Sequence, residues 1–159
     1  MTMRFFAVGE AIVKQLDKAL NTNIYPEDTV NVFAIRSRDM AAQIAGKKLP
    51  AVMISYGSYR VQNNTSRGKR SEVTQSWDVV ITVRNYAKLQ TRTGALEDVD
   101  ALIDRVLKAL MGFEFDVEYG CTTLKLANPP VLSDEGDGVT YFPLRFTTET
   151  MLISNPPTI

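Results

Sequence analysis

Between Val73 and Tyr86 the chain reads VTQSWDVVITVRNY, with Val73, Trp77, Val79, Ile81 and Val83 on alternate positions and Gln75 as the one polar member of the series. Ser76, Asp78, Thr82 and Arg84 fall between them, Val80 excepted. Period-two alternation that is rich in β-branched residues and carries the only Trp predicts a long, half-buried strand. Leu49 to Val61 predicts a second. Ala51, Met53, Ser55, Gly57 and Tyr59 would share one face, and Val52, Ile54, Tyr56 and Ser58 the other. Both faces are largely apolar at the start, as expected of a central strand covered on both sides. Cys121 to Leu132 and Val139 to Ile153 are further strand candidates, joined through Ser133–Gly138, whose composition marks a hairpin turn. Pro129, Pro130 and Pro143 cannot donate to a ladder and so mark edges, bulges or breaks. A short edge strand is expected around Val30, Val32 and Ala34, and Phe113 to Tyr119 reads as a short strand or an extended connection.

Two stretches switch to the helical period. Phe5, Val8, Ile12, Leu16 and Leu20 recur at three- and four-residue steps, which predicts a helix over about residues 5 to 20. Asn21 and Asn23 are the expected stops, through the left-handed conformation that Asn tolerates. Leu96, Val99, Leu102, Ile103, Val106, Leu107 and Leu110 form a wide apolar stripe, which predicts a second helix from Ala95 to Met111. Thr93 would cap it and Gly112 would stop it. Its early acids (Glu97, Asp98, Asp100) and late bases (Arg105, Lys108) suit the helix dipole. A short helix from Arg38 to Ala45, stopped by Gly46, completes the set.

Strands in hairpin order with helices between them predict an α+β fold. The expected architecture is a mainly antiparallel sheet of about four to five strands packed against two main helices on one face. The length of 159 residues suits one domain, with residues 154 to 159 as a frayed tail. Gln62 to Glu72, QNNTSRGKRSE, is polar throughout. It reads either as a long exposed hairpin loop or as two strand ends projecting beyond the body.

Composition narrows the chemistry. Lys plus Arg and Asp plus Glu both number 18, and a zero net charge argues against a dedicated nucleic-acid binder, leaves room for a local basic patch and removes one barrier to self-association. One cysteine, Cys121, allows no internal disulfide and fits a reducing compartment. The first residues lack a signal-peptide pattern, and no apolar run is long enough to span a bilayer, so a soluble protein of the cytoplasm is expected. The absence of histidine rules out Ser-His-Asp and Cys-His nucleophilic arrangements and histidine metal ligation.

The remaining candidates each have an ordinary explanation. Ala45-Gly46-Lys47-Lys48 lacks the first glycine and the hydroxyl residue of a phosphate loop, so a helix stop followed by solvated lysines is preferred. Asp134-Glu135-Gly136-Asp137-Gly138 offers oxygen ligands but lacks a closing Glu at loop spacing, so it reads as a turn. Glu114, Asp116 and Glu118 would align on one strand face. They form a carboxylate-dependent, metal-assisted site only if a pocket buries them, and otherwise a solvated face. Cys121 has no partner to make it catalytic. Arg67, Lys69 and Arg70, with Arg60 nearby, could contact phosphates, but without an aromatic stacking platform the cluster reads first as an ordinary solvated loop and next as a protein–protein contact.

The order VGEAIVKQLDKAL, LPAVMISYGSY, WDVVITVRNYA, ALEDVDALIDRVLKAL and GVTYFPLRFTTETML resembles the bacteriophage tail terminator (tail completion) proteins, especially those of Mu-like phages and prophages. The resemblance covers roughly residues 5 to 152. It implies a structural virion protein, with no catalysis, cofactor or metal, and without membrane association. Such proteins form a six-fold homo-oligomeric ring that ends tail-tube polymerisation and offers the head–tail connector a docking surface. In contractile tails they also help finish the sheath. The implied partners are therefore further copies of the chain, the tube protein, the connector and the sheath protein, with passing DNA in the lumen. Assembly would take place in the host bacterial cytoplasm, and the product would sit in the tail or neck. Arg60, Arg67, Lys69 and Arg70 are the expected surface towards the tube or the lumen. Another neck component that joins heads to tails is the nearest alternative, and the carboxylate enzyme the remotest.

Overall fold

Three strands of 15 residues each dominate the molecule: β2 (Ala51–Thr65), β3 (Arg70–Arg84) and β5 (Val139–Ile153). A computed structural model describes residues 6–22, 29–35, 43–44, 46–84, 93–115, 121–130 and 139–154, with only the backbone described over 93–99. Two short edge strands, β1 (Asn31–Ile35) and β4 (Lys125–Ala127), complete a sheet of order β1-β2-β3-β5-β4. All neighbours are antiparallel except β1, which runs parallel to β2. The fold is α+β, and the described residues form a mostly antiparallel five-stranded sheet and two long α-helices, α1 (Ala7–Asn21) and α2 (Thr93–Leu110).

The alternation read in β3 decides where the helices go. Val73, Gln75, Trp77, Val79, Ile81 and Val83 all point to one face, and from Trp77 onward this face meets α1 and α2. Val8, Ile12, Leu16 and Leu20 of α1 and Leu102, Val106 and Leu110 of α2 pack there around Phe146. The helices are also tied by polar contacts. Arg105 donates from Nη2 to the Leu20 carbonyl at 2.8 Å, and Gln15 from Nε2 to the Ala109 carbonyl at 3.1 Å. Both acceptors lie near helix C-termini, where carbonyls lack intrahelical partners.

Asn21 ends α1 by a route other than the expected one. It keeps helical geometry, and its side-chain amide pairs with Val30, accepting from the Val30 N–H at 2.7 Å and donating to the Val30 carbonyl at 2.8 Å. The side chain thus acts as a strand partner for the chain leading into β1. Asn23 lies outside the described residues. Gly112, with φ +74, follows α2 as expected, and its N–H bonds the Leu124 carbonyl.

Several expectations need correction. Thr93 begins α2 rather than preceding it. The Cys121–Leu132 strand shrinks to Lys125–Ala127 plus one bridge between Cys121 and Thr150. Register shifts between Tyr56 and Ser58 and between Val61 and Asn63 break the alternation of β2. Gly57 is extra in the ladder, so Tyr59 moves to the helix side opposite Gln75, and Ser58 moves to the other side opposite Ser76. Pro143 sits within β5 opposite Val80, and β4 flanks β5 only at Arg145–Thr147. Among the described residues no strand pairs with β5 at Pro143 on the β4 side, where a residue without an N–H is tolerated. A second apolar cluster, with Ile35, Met53, Val80, Val139 and Tyr141, covers the start of β2 on its other face. Most of the expected Arg38–Ala45 helix, the 116–120 connection and the 131–138 turn lie outside the described residues.

Candidate assembly surfaces

Gln62 to Glu72 forms projecting strand ends. β2 and β3 stay paired up to Thr65 and Arg70, and the turn between them takes four residues, Ser66 to Lys69. Cross-strand polar bonds hold this part together: Gln62 Nε2 to Thr74 Oγ1 at 3.2 Å and Ser71 Oγ to Asn64 Oδ1 at 2.5 Å. The third strand travels with them. Ile153 pairs with Arg70, and the Ser154 N–H bonds the Lys69 carbonyl at 2.8 Å, so the tip is braced by β5 as well.

The turn itself is unusual. Ser66, Arg67 and Gly68 have φ of 54°, 59° and 82°, and the Lys69 N–H bonds the Ser66 carbonyl at 3.2 Å. Left-handed geometry at a residue other than Gly costs about 1–2 kcal/mol. The turn therefore holds the Arg67 backbone in a fixed, disfavoured shape. Strain of this kind clusters at functional positions.

The structure brings Arg67, Lys69 and Arg70 together at the tip, all exposed. Arg60 stands apart, further back on β2 opposite Thr74. None of the four has a salt-bridge partner among the described residues. Sequence reasoning missed an apolar neighbour, Ile153, which is 59 % exposed beside Arg70. An exposed apolar side chain at a strand end carries no periodic signal of its own.

The face away from the helices carries the one partly buried ion pair described. Arg145 grips Asp78 through Nε to Oδ1 at 2.7 Å and Nη2 to Oδ2 at 3.1 Å, directly across the β3–β5 ladder. The hydrogen bonds to Asp78 push the guanidinium pKa up, against a smaller opposing effect of burial. A Cβ at Gly57 would press on the Ser76 carbonyl oxygen at 3.0 Å and stand in ordinary contact, 3.4 Å, with both partners of this fork. A carboxylate bound in this way acts as a register pin for two strands.

On the helix side, Phe6, Tyr56 and Trp77 stack edge-to-face, with ring centres 5.4 Å apart for Phe6–Tyr56 and for Tyr56–Trp77. They line an apolar groove of about 810 Å³ with Val13, Ala34 and Ile54. Gly9 lets α1 lie directly on the indole, because a Cβ there would sit 2.4 Å from Trp77 Cζ3. The indole N–H donates to Gln75 Oε1 at 3.0 Å, which explains the single polar member of the β3 series as a buried partner for Trp77. Tyr59, 56 % exposed, continues this side beyond the groove.

Of the acidic candidates, Glu114 alone lies among the described residues. Glu114 is exposed, beside a small hollow of about 350 Å³ shared with Lys14, Gln15 and Lys18. Asp116 and Glu118, like Asp134–Gly138, lie outside the described residues. Among the described residues, no group of three or more His, Cys, Asp or Glu could hold a metal. Lys47 lies over the Phe33 ring at 5.1 Å, a cation–π contact in place of a phosphate cradle. Cys121 is half-buried with Sγ 3.4 Å from Thr150 Oγ1, and burial pushes its thiol pKa up, away from a reactive thiolate. Among the described residues, no helix is long and apolar enough to cross a membrane.

Comparison with curated proteins gave no match. A family model described as phage tail terminator protein matches residues 37–156, which takes in β2, β3, α2, β4 and β5. That match covers most of the chain and agrees with a fold whose described surfaces suit assembly. The chain belongs to the phage tail terminator protein family, as a structural component of the phage tail.

Proposed function

We propose that the protein caps the tail tube as a homo-oligomeric, six-membered ring, ending tube polymerisation and presenting a surface for head–tail joining. The carrying observation is the braced hairpin tip, where Arg67, Lys69 and Arg70 stand exposed on a turn fixed in left-handed geometry. A rigid cationic projection loses little conformational freedom when it docks, and it selects an acidic partner surface. The tip meets the tube end, and Arg60, set back on β2, extends the same charge towards the ring lumen and passing DNA. The connector, and the sheath in a contractile tail, meet the remaining faces. The chain works as one folded unit, assembled in the host bacterial cytoplasm and carried in the tail or neck. No catalytic step is involved.

The test is a triple charge reversal, Arg67→Glu, Lys69→Glu and Arg70→Glu, in a phage that depends on this protein. Overlong tails by electron microscopy, with the variant folded by circular dichroism, are the expected result. Normal-length, infectious particles would remove the tip from the tube contact. Normal tails that fail to join heads would reassign the tip to the connector and the protein to the joining step.

A further inference from the structure

One row of side chains crosses the sheet. Tyr56 on β2 pairs with Trp77 on β3, Trp77 with Phe146 on β5, and Phe146 with Leu126 on β4. Directly opposed residues project to the same face, so all four stand on the helix side. The two ends of this row differ. At the β2 edge it opens into the Phe6–Tyr56–Trp77 groove. At the β4 edge it ends in Leu126, which is 46 % exposed although Leu124 and Phe146 beside it are buried.

Strand direction and height match as well. Beyond Ser55, no strand among the described residues flanks the outer side of β2, and β4 is the opposite edge of the sheet. The ladders β2–β3, β3–β5 and β5–β4 are all antiparallel, so β4 runs antiparallel to β2. Cys121 bridges Thr150, which is level with Val73 and Val61, and Ala127 pairs with Arg145, which is level with Asp78 and Ser55. The segment from Cys121 to Ala127 therefore stands at the height of β2 just beyond the end of β1. Rotation about an axis parallel to the strands, without any rise, brings the outer side of β4 against this part of β2 in an antiparallel sense. Rotation without rise closes a ring, whereas rotation with rise builds a filament.

We infer that neighbouring copies join edge to edge, with Leu126 of one copy seated in the Phe6–Tyr56–Trp77 groove of the next. This rests on the ring reading above and specifies its subunit contact. The contact is heterologous, an aliphatic knob on one edge and an aromatic groove on the other, which is what a closed ring needs from one kind of subunit. The bulges at Gly57 and Gln62 make β2 a poor template for indiscriminate strand addition, so selectivity falls to the knob and groove.

The test uses the full chain with Cys121→Ser, carrying either Phe6→Cys or Leu126→Cys, and a short thiol cross-linker in the presence of tail tubes. Both new cysteines replace exposed side chains, and circular dichroism of the Cys121→Ser background checks that it folds. A covalent dimer is expected in the mixture, at least about tenfold over either variant alone, as a heterologous contact requires. Leu126→Asp is expected to weaken self-association by about tenfold or more. Cross-linking of one variant to itself would show an isologous dimer and overturn the inference. Capture of tube protein by Phe6→Cys would assign the groove to the tube and overturn it too. Rings on tube ends with no cross-link would refute this contact and leave the ring reading standing. No ring under any condition would bring down both.

Discussion

The sheet has two halves that are held by different forces. At its base, Val52, Ile54, Val79, Ile81 and Phe146 are fully buried beneath α1 and α2. Towards the hairpin end, β2 is exposed from Ser58 to Thr65, and the strands are held by ladder bonds, the Gln62–Thr74 and Ser71–Asn64 side-chain bonds and the bracing of β5. The base holds most of the core, with the Phe6–Tyr56–Trp77 groove open at its edge, and the tip holds little of it. The tip is thus released from the packing that holds the base, which leaves it free to carry unpaired charge and disfavoured backbone.

The most direct way to break this comparison is to make matched truncations at both ends. Phe146→Ala removes a fully buried ring and is expected to cost about 3–5 kcal/mol in denaturant unfolding. Tyr59→Ala, at a mostly exposed ring on β2, is expected to cost less than about 1 kcal/mol. Similar losses at the two sites would mean that the tip shares the core after all. A second, smaller effect tests the close approach of α1. Gly9→Ala forces the indole or the helix to move and is expected to cost about 1–3 kcal/mol. Wild-type stability there would mean that Trp77 has room to shift. Since Trp77 lines the groove, a shifted indole should also weaken ring contacts.

The base was far more legible in the sequence than the tip. The α1 and α2 stripes and the Trp77 alternation placed the core because burial imposes a period on every residue it touches. The parallel pairing of β1 left no local trace, since parallel partners are chosen by the crossover rather than by a turn. Tyr59 was assigned to the wrong face because the bulge at Gly57 shifts the alternation by one residue; a glycine inside a strand often marks a bulge, and Gly57 was the signal that could have placed it. The basic cluster Arg67, Lys69 and Arg70 was visible as composition, whereas its left-handed turn and the nearness of Ile153 were not. Leu126 gained meaning only through three successive pairings across the sheet, which no single stretch of sequence encodes.

The ion pair of Asp78 and Arg145 lies between the two halves and sharpens the boundary. Asp78→Asn keeps the shape but removes the charge that binds the guanidinium, and with side chains 14 % and 28 % exposed it is expected to cost about 1–2 kcal/mol. Pairing the change with Arg145→Gln in a double-mutant cycle isolates the coupling. A coupling near zero would mean that ladder bonds alone set the β3–β5 register. The sign of the Arg145 shift bears on pH. Its pKa is raised above the ordinary arginine value, so its stabilising effect is fully present below that value and is lost only as pH rises through the folded pKa. The contribution of Arg145 should therefore be flat across the neutral range.

The smallest effect separates the two halves most cleanly, because stability and function should move in opposite directions. Arg67 has φ 59° and ψ 38°, a conformation in which Gly bears no steric penalty. Arg67→Gly relieves roughly 1 kcal/mol of left-handed cost. It also gives the unfolded chain more freedom, which returns about 0.5–1 kcal/mol. The net expectation is a stability between unchanged and about 0.5 kcal/mol higher, read from denaturant midpoints at constant slope. The same substitution removes the side chain at the head of the basic tip, so tube capping in a length assay should fall. A more stable protein that caps less well would mean that the strain is maintained for the contact it presents. If capping survives while stability rises, Arg67 is dispensable and the docking charge rests on Lys69 and Arg70.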